Sequence, residues 1–324
     1  MQRSPEAAAP QADRSKPLIY LTIGGLWIFL CIAMPLRRLS IALEDCLAVL
    51  AFFAIVLGVA ASLRARGFIA LAAGIEASIL LSIASLTFTL IAYVLATNQS
   101  PLADNVMASI DLRLLFGGNW RRIVLAFCRH GILLHVANTC YASIQWQGCI
   151  LIIIACATGR RERCWSFILA WILTLILVVG IFAWLPCLGA YSHFGIPATD
   201  VPGVHSRVGW LQPKLLTLLR SDTPFRITAA SLSGIVEFPS FHAAAAILFM
   251  CAFWPNPLAR WPAIILNIGM IVSAVPIGGH YFIDIFGGMT AAAVGLAMTR
   301  RIEARWADAT FDFRRRWKPQ TALL

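Results

Sequence analysis

Long apolar runs separated by short basic clusters repeat along this chain. The first runs from Leu18 to Leu36 and ends at Arg37-Arg38; a second covers Ile41–Leu63 and ends at Arg64 and Arg66; a third covers Gly67–Ala96. Each approaches or exceeds the roughly 20 residues a helix needs to cross a bilayer. Residues 97–130 break the pattern. Asn98-Gln99-Ser100-Pro101 interrupts the helix, Asp104–Leu115 mixes apolar and charged positions, and Gly117-Gly118-Asn119-Trp120 leads into Arg121-Arg122. Such a stretch predicts helices lying in the membrane interface, with Trp120 at headgroup depth. Spans follow at Gly131–Ala157 and Cys164–Leu185, divided by Gly159-Arg160-Arg161-Glu162-Arg163. Residues 186–237 form the longest stretch without a span. Three further spans are expected at Ser240–Trp254, Pro262–Ile277 and Tyr281–Thr299, the first two divided by Pro255-Asn256-Pro257. The fold class is therefore all-α: a polytopic transmembrane helical bundle of about eight spans. Its parts are a disordered cytoplasmic tail (1–16), a three-span segment (17–96), a membrane core (97–299) and a basic cytoplasmic tail (300–324). The Leu18–Leu36 run is long for a signal-peptide core and lacks a clear cleavage site.

Composition agrees. The 324 residues are 60% hydrophobic and 13% charged, with a mean hydropathy of +0.79, whereas soluble domains carry about 25% charged residues. A net charge of +11 would raise nucleic-acid binding in a soluble protein. Here the basic residues flank apolar runs, so they set topology and no nucleic-acid partner is expected. With the N-terminus inside, sixteen of the 26 Lys and Arg residues fall on the cytoplasmic side, as the positive-inside rule requires. Both termini are then cytoplasmic, and His242 and His280 lie at the opposite face. The nine cysteines are scattered without a CxxC pair and read as small buried hydrophobes rather than a disulfide or zinc framework.

Two stretches carry chemistry: Phe238-Pro239-Ser240-Phe241-His242 and Gly278-Gly279-His280-Tyr281-Phe282-Ile283-Asp284. His280 and Asp284, four apart, share one face of a helix. A carboxylate there can hold one imidazole nitrogen and leave the other free. One helix out and one back return His280 to the membrane face of His242. Span six, Ser240–Trp254, is only about 22 Å long, against the roughly 30 Å hydrocarbon core, which sinks this end below the headgroups. The bland alternative for His280 and Asp284 is a structural polar pair; ionisable groups at membrane depth are costly and usually functional. Glu76, inside span three, must be protonated, paired or facing water, and a packing role is at least as natural as a functional one. His130, His135, His193 and His205 show no ligand spacing and read as core or loop residues. Trp27, Trp165, Trp184, Trp210 and Trp306, near span ends, fit an interfacial belt.

Pro239-Ser240-x-His242 and Ser273-x6-His280-x3-Asp284 resemble the second and third signatures of the type 2 phosphatidic acid phosphatase superfamily. The Gly-Gly-His-Tyr-Phe-Ile-Asp wording is most similar to the branch containing inositol phosphorylceramide synthase. Similarity reaches back toward Asp104 through Tyr141–Gln145 and Gly189–His193. The resemblance implies a membrane enzyme acting on lipid phosphate esters through a phosphohistidine. It would be a phosphatase, or a phosphotransferase passing a headgroup such as phosphoinositol to a lipid alcohol. His280 is the expected nucleophile, Asp284 its orienting carboxylate and His242 the general acid. Ser240 is expected as N-cap or phosphate ligand at a helix start that binds anions. Gly279, beside Gly278, would admit close backbone approach to substrate. No metal or cofactor is expected. Two departures stand out. Ala274 occupies the place where the third signature commonly carries Arg, and no Arg-Pro follows Lys214 and Arg220. Arg220 and Arg226 are the expected replacement cations, with Arg207 and Lys214 behind them. Glu237, three residues before Ser240, is an awkward neighbour for phosphate. A bacterial inner membrane with a periplasmic site is the implied location, and the oligomeric state is open. The competing class is a transporter or structural membrane protein that kept the fold.

Overall fold

The computed structural model describes residues 15–316, with side chains described as far as Trp306; the disordered tail expected at 1–16 and the end of the basic tail fall almost wholly outside those residues. It is a helical bundle. The order is α1 (Ser15–Leu36), β1 (Leu39–Ile41), α2 (Leu43–Ala65), α3 (Ile69–Ala96), α4 (Asp104–Leu114), α5 (Trp120–Cys128), α6 (Gly131–Ala142), α7 (Ile144–Ala157) and α8 (Arg161–Trp184). There follow the short α9 (Ala190–His193), α10 (Val208–Leu219), β2 (Phe225–Ile227), α11 (Phe241–Phe253), α12 (Arg260–Ser273) and α13 (Phe282–Arg316). Six helices among the described residues are long and apolar enough to cross a membrane: α1, α2, α3, α8, α12 with its following turn, and α13. There are seven if α5 and α6, bent by 101°, form one span. The protein is an integral membrane protein.

Two of the eight expected spans differ in form. The Gly131–Ala157 run is two helices meeting at Ser143. The run before the Pro-Asn-Pro break is α11, 13 residues or about 20 Å. It packs against α7, α8, α12 and α13, and Ala243, Ala244, Ala245 and Ala246 are fully buried. Small side chains let neighbouring helix backbones approach closely, so a central helix can be short. The expected eighth span continues as helix to Arg316.

Polar groups hold the helices where apolar packing alone supplies little specificity. Gln147 of α7 and Asn267 of α12 exchange amide hydrogen bonds: Asn267 Nδ2 donates to Gln147 Oε1 at 2.7 Å, and Gln147 Nε2 to Asn267 Oδ1 at 3.2 Å and Ser143 Oγ at 2.8 Å. Glu76 is paired: it accepts from Tyr20 OH at 2.7 Å and Arg64 Nη2 at 2.8 Å, with Lys16 Nζ at 3.5 Å. Those contacts tie α1, α2 and α3 together, the packing role offered by the sequence. One element lies outside the all-α pattern. β1 and β2 form a parallel pair, Leu39 opposite Phe225 and Ile41 opposite Ile227, which pins the α1–α2 loop to the segment before α11.

Replacing Asn267 by Leu is expected to cost about 1–2 kcal/mol, because buried Gln147 loses its reciprocal partner. The melting midpoint in detergent reads this loss, and the Gln147→Leu/Asn267→Leu double variant should recover most of it.

Candidate active site

The segment from Ser273 to Asp284 is shaped by backbone geometry before any chemistry enters. After α12 the chain widens into a π-type turn, Ala274–Gly278, which ends at Gly279 with φ +83°. That left-handed conformation favours glycine. A Cβ at Gly279 would lie 2.7 Å from the Tyr191 ring. The close approach allowed by Gly279 is therefore to Tyr191 within the fold; Gly279 does not line the cavity. The turn is clamped by Trp120 Nε1 donating to the His280 carbonyl at 3.2 Å, by Tyr191 OH donating to the Pro276 carbonyl, and by Ala190 N donating to the Gly279 carbonyl at 2.9 Å.

The start of α13 is then held by acids from α4. Asp111 accepts from the Phe282 amide at 2.7 Å and the Ile283 amide at 2.9 Å. These are first-turn donors with no intrahelical partner. Asp104, two turns earlier on the same face, accepts from the Leu188 and Gly189 amides and from Tyr281 OH at 3.0 Å. Burial pushes the Asp111 carboxyl up, and the two amides pull it back.

On this frame His280 Nδ1 lies 3.2 Å from Asp284 Oδ2, which also accepts the Tyr281 amide at 2.9 Å. Its other ring nitrogen is free of that carboxylate. The two stretches are joined directly, the Ser240 amide donating to the Asp284 carbonyl at 3.0 Å. Ser240 is the N-cap of α11, its Oγ accepting from Ala243 N at 3.5 Å. It is fully buried and does not line the cavity, so the side chain serves the helix. His242, in the first turn of α11, stacks on Tyr141 of α6 with ring centroids 3.9 Å apart and planes 12° from parallel.

His242 and His280 both line one cavity of about 750 Å³. Its polar lining adds His135, Asn138, Gln145, His205, Ser206 and Glu237, with Ser85 and Thr89 from α3; apolar lining comes from Phe88 and Ala92 of α3 and Leu175, Val178 and Val179 of α8. Among the described residues no Lys or Arg lines it. Arg220 donates to the Asn98 and Ser100 carbonyls at 2.9 and 2.8 Å, closing the chain that leaves α3. Arg226 sits on β2 and pairs with Glu44 at 2.7 Å, both side chains more than half exposed. Neither expected cation lines the cavity, and Arg207 and Lys214 do not line it either.

Several participants escape a reading by spacing. His135 and His205, read as core or loop residues, are at the cavity. Trp120, expected at headgroup depth, is 2% exposed and supports the turn. Trp165 is buried, with Lys16 Nζ 4.4 Å from its ring centroid, and Trp210 stacks on Tyr191 at 4.6 Å. Trp184 remains exposed, as an interfacial residue would. Glu237 turns inward: its Oε1 is 3.4 Å from His280 Nδ1. Burial, with the Asp284 and Asp104 carboxylates close by, pushes its carboxyl well above the ordinary range. Of the acids, Asp104 and Asp111 carried a faint signal, two carboxylates seven apart in an amphipathic stretch.

Fold and site together define a membrane-embedded helical protein with a histidine–carboxylate pair and a second histidine at one cavity. Residues 106–298 match the family model described as the PAP2 superfamily, and the chain belongs to that superfamily. No curated protein and no solved structure matches it. Membership points to phosphatase- or phosphotransferase-type chemistry on lipid phosphates.

Asp111→Ala leaves the Phe282 and Ile283 amides unpaired and loosens the turn carrying His280. Turnover is expected to fall about tenfold or more, as for supporting residues around a reactive ligand, with the α-helical circular dichroism spectrum unchanged. Arg226→Ala, by contrast, should keep KM within about twofold, since an exposed ion pair contributes little.

Proposed function

We propose that this protein is a lipid-phosphate phosphatase or phosphotransferase that works through a phosphohistidine on His280. One observation carries the reading: His280, backed by Asp284, and His242 line the same cavity, whose lining joins polar groups to apolar side chains of α3 and α8. An amphiphile fits it with its phosphate between the imidazoles and its chains against the apolar walls.

In the first step His280 Nε2 attacks phosphorus while Asp284 holds the Nδ1 proton. The bond from phosphorus to the leaving oxygen breaks, and His242 supplies that oxygen with a proton. In the second step water or an alcohol attacks the phosphohistidine, gives its proton to His242 and frees His280. The negative phosphoryl oxygens need donors. In place of Arg and Lys, the reading assigns this to the first-turn amides of α11, whose positive helix end favours an anion, and to His135 and His205. Water as acceptor gives hydrolysis. A diacylglycerol- or ceramide-like alcohol gives headgroup transfer, the outcome favoured by the Gly-Gly-His-Tyr-Phe-Ile-Asp resemblance to the inositol phosphorylceramide synthase branch. On this reading the cavity opens on the face away from both termini, periplasmic in a bacterial inner membrane; the Lys and Arg distribution supports that side.

Incubating purified protein with a panel of lipid phosphates tests this. Wild type is expected to turn over at least one lipid and, after quenching, to carry an acid-labile, alkali-stable phosphoryl group. His280→Ala and Asp284→Asn should lose both, by about 10³-fold or more in rate for the nucleophile. Equal turnover by His280→Ala would overturn the nucleophilic role of His280, and no turnover of any lipid by wild type would leave a non-catalytic protein with this fold. Phosphate release without an acceptor marks hydrolysis; product only with a lipid alcohol marks transfer.

A further inference from the structure

Glu237, His280 and Asp284 converge from three segments: the loop before α11, the turn before α13, and α13 itself. One ligand atom from each lies within 4.8 Å of the others, and all three residues are buried. The edges at His280 Nδ1 are 3.2 Å to Asp284 Oδ2 and 3.4 Å to Glu237 Oε1. Ligands about 2.0–2.2 Å from a metal ion, at tetrahedral or octahedral angles, stand roughly 3–3.6 Å apart.

The cluster is also incomplete as a hydrogen-bonded group. Glu237 Oε1 and Asp284 Oδ1 are sealed from solvent and make no hydrogen bond, although the side chains are 3% and 0% exposed. Buried carboxylate oxygens demand a partner, and among the described residues no Lys or Arg lines the adjoining cavity. The backbone leaves room for the extra acid. Gly189 has φ +95°, and a Cβ there would stand 3.0–3.2 Å from the Glu237 carboxyl.

We propose that Glu237, His280 and Asp284 form a site for one divalent transition-metal ion that switches the centre off. A mixed imidazole and carboxylate donor set suits zinc or manganese. The ion binds Nδ1, and the ring proton moves from Nδ1 to Nε2. The lone pair needed for attack on phosphorus is then occupied, and no bond in the substrate changes. The ion is an inhibitor, not a cofactor. The switching half of this inference rests on the nucleophilic role of His280; the binding half does not.

The test is a titration of chelator-stripped, full-length protein in detergent with Mn²⁺, free ion being read by electron paramagnetic resonance. Manganese is chosen because thiols, of which the chain has nine, bind it poorly. Wild type and His135→Ala are expected to bind one ion per chain, and Glu237→Gln and His280→Ala at least tenfold more weakly. Mn²⁺ should raise the melting midpoint of wild type and leave that of Glu237→Gln unmoved. The site is refuted if wild type binds no stoichiometric ion, or if Glu237→Gln binds as tightly. If wild type binds the ion and keeps its full rate, the switching role is refuted. Binding by wild type with no turnover of any lipid phosphate supports the site and counts against the proposed activity alone.

Discussion

A polar loop can be held near the membrane core only if its backbone groups find partners inside the protein. The turn from Gly278 to Asp284 meets that constraint with side chains drawn from distant segments. Asp111 takes the first amides of α13, Asp284 takes the Tyr281 amide, Trp120 and Tyr191 take carbonyls, and the Ser240 amide closes onto the Asp284 carbonyl. An unpaired buried amide or carbonyl costs about 1–3 kcal/mol, so each link strongly favours one arrangement of His280. Helix α4 thus serves as the clamp on the histidine–carboxylate pair, and α11 and α13 are tied at their starts.

That clamp gathers carboxyl groups. Asp104, Asp111, Glu237 and Asp284 are all buried, and the arginines nearest in sequence to the second signature are engaged elsewhere. On the proposed function, phosphate would be held by helix-end amides and imidazoles rather than by guanidinium groups. The same imbalance leaves two carboxylate oxygens without partners, which makes a cation beside His280 a natural complement. Apolar side chains of α3 and α8 share the cavity lining with these polar groups, a mixture that suits an amphiphile.

Much of the architecture was legible in the pattern of apolar runs, because crossing a bilayer demands length and hydrophobicity in each segment separately. The short α11 was flagged by its 15-residue run, and the Ser240 N-cap by the helix start after Pro239. The break at Ser143 was not legible, since both halves of Gly131–Ala157 are apolar and no Gly or Pro marks the join. The pairing of His280 with Asp284 followed from a spacing of four, a purely local relation. The cations were misplaced because proximity in sequence says nothing about direction. Arg226 alternates outward on a strand, and Arg220 ends a helix where free carbonyls await it.

By itself, then, the chain's sequence determined a helical membrane protein with a His-x3-Asp face and a second histidine at a helix start, since periodicity and hydropathy act over a few residues at a time. Only the tertiary structure decided that both imidazoles share a cavity, that Glu237 points inward, that Asp104 and Asp111 seat the turn, and that Arg220 and Arg226 do not reach it. Those facts depend on which distant backbone groups are left unsatisfied after the helices pack, a quantity no local pattern carries.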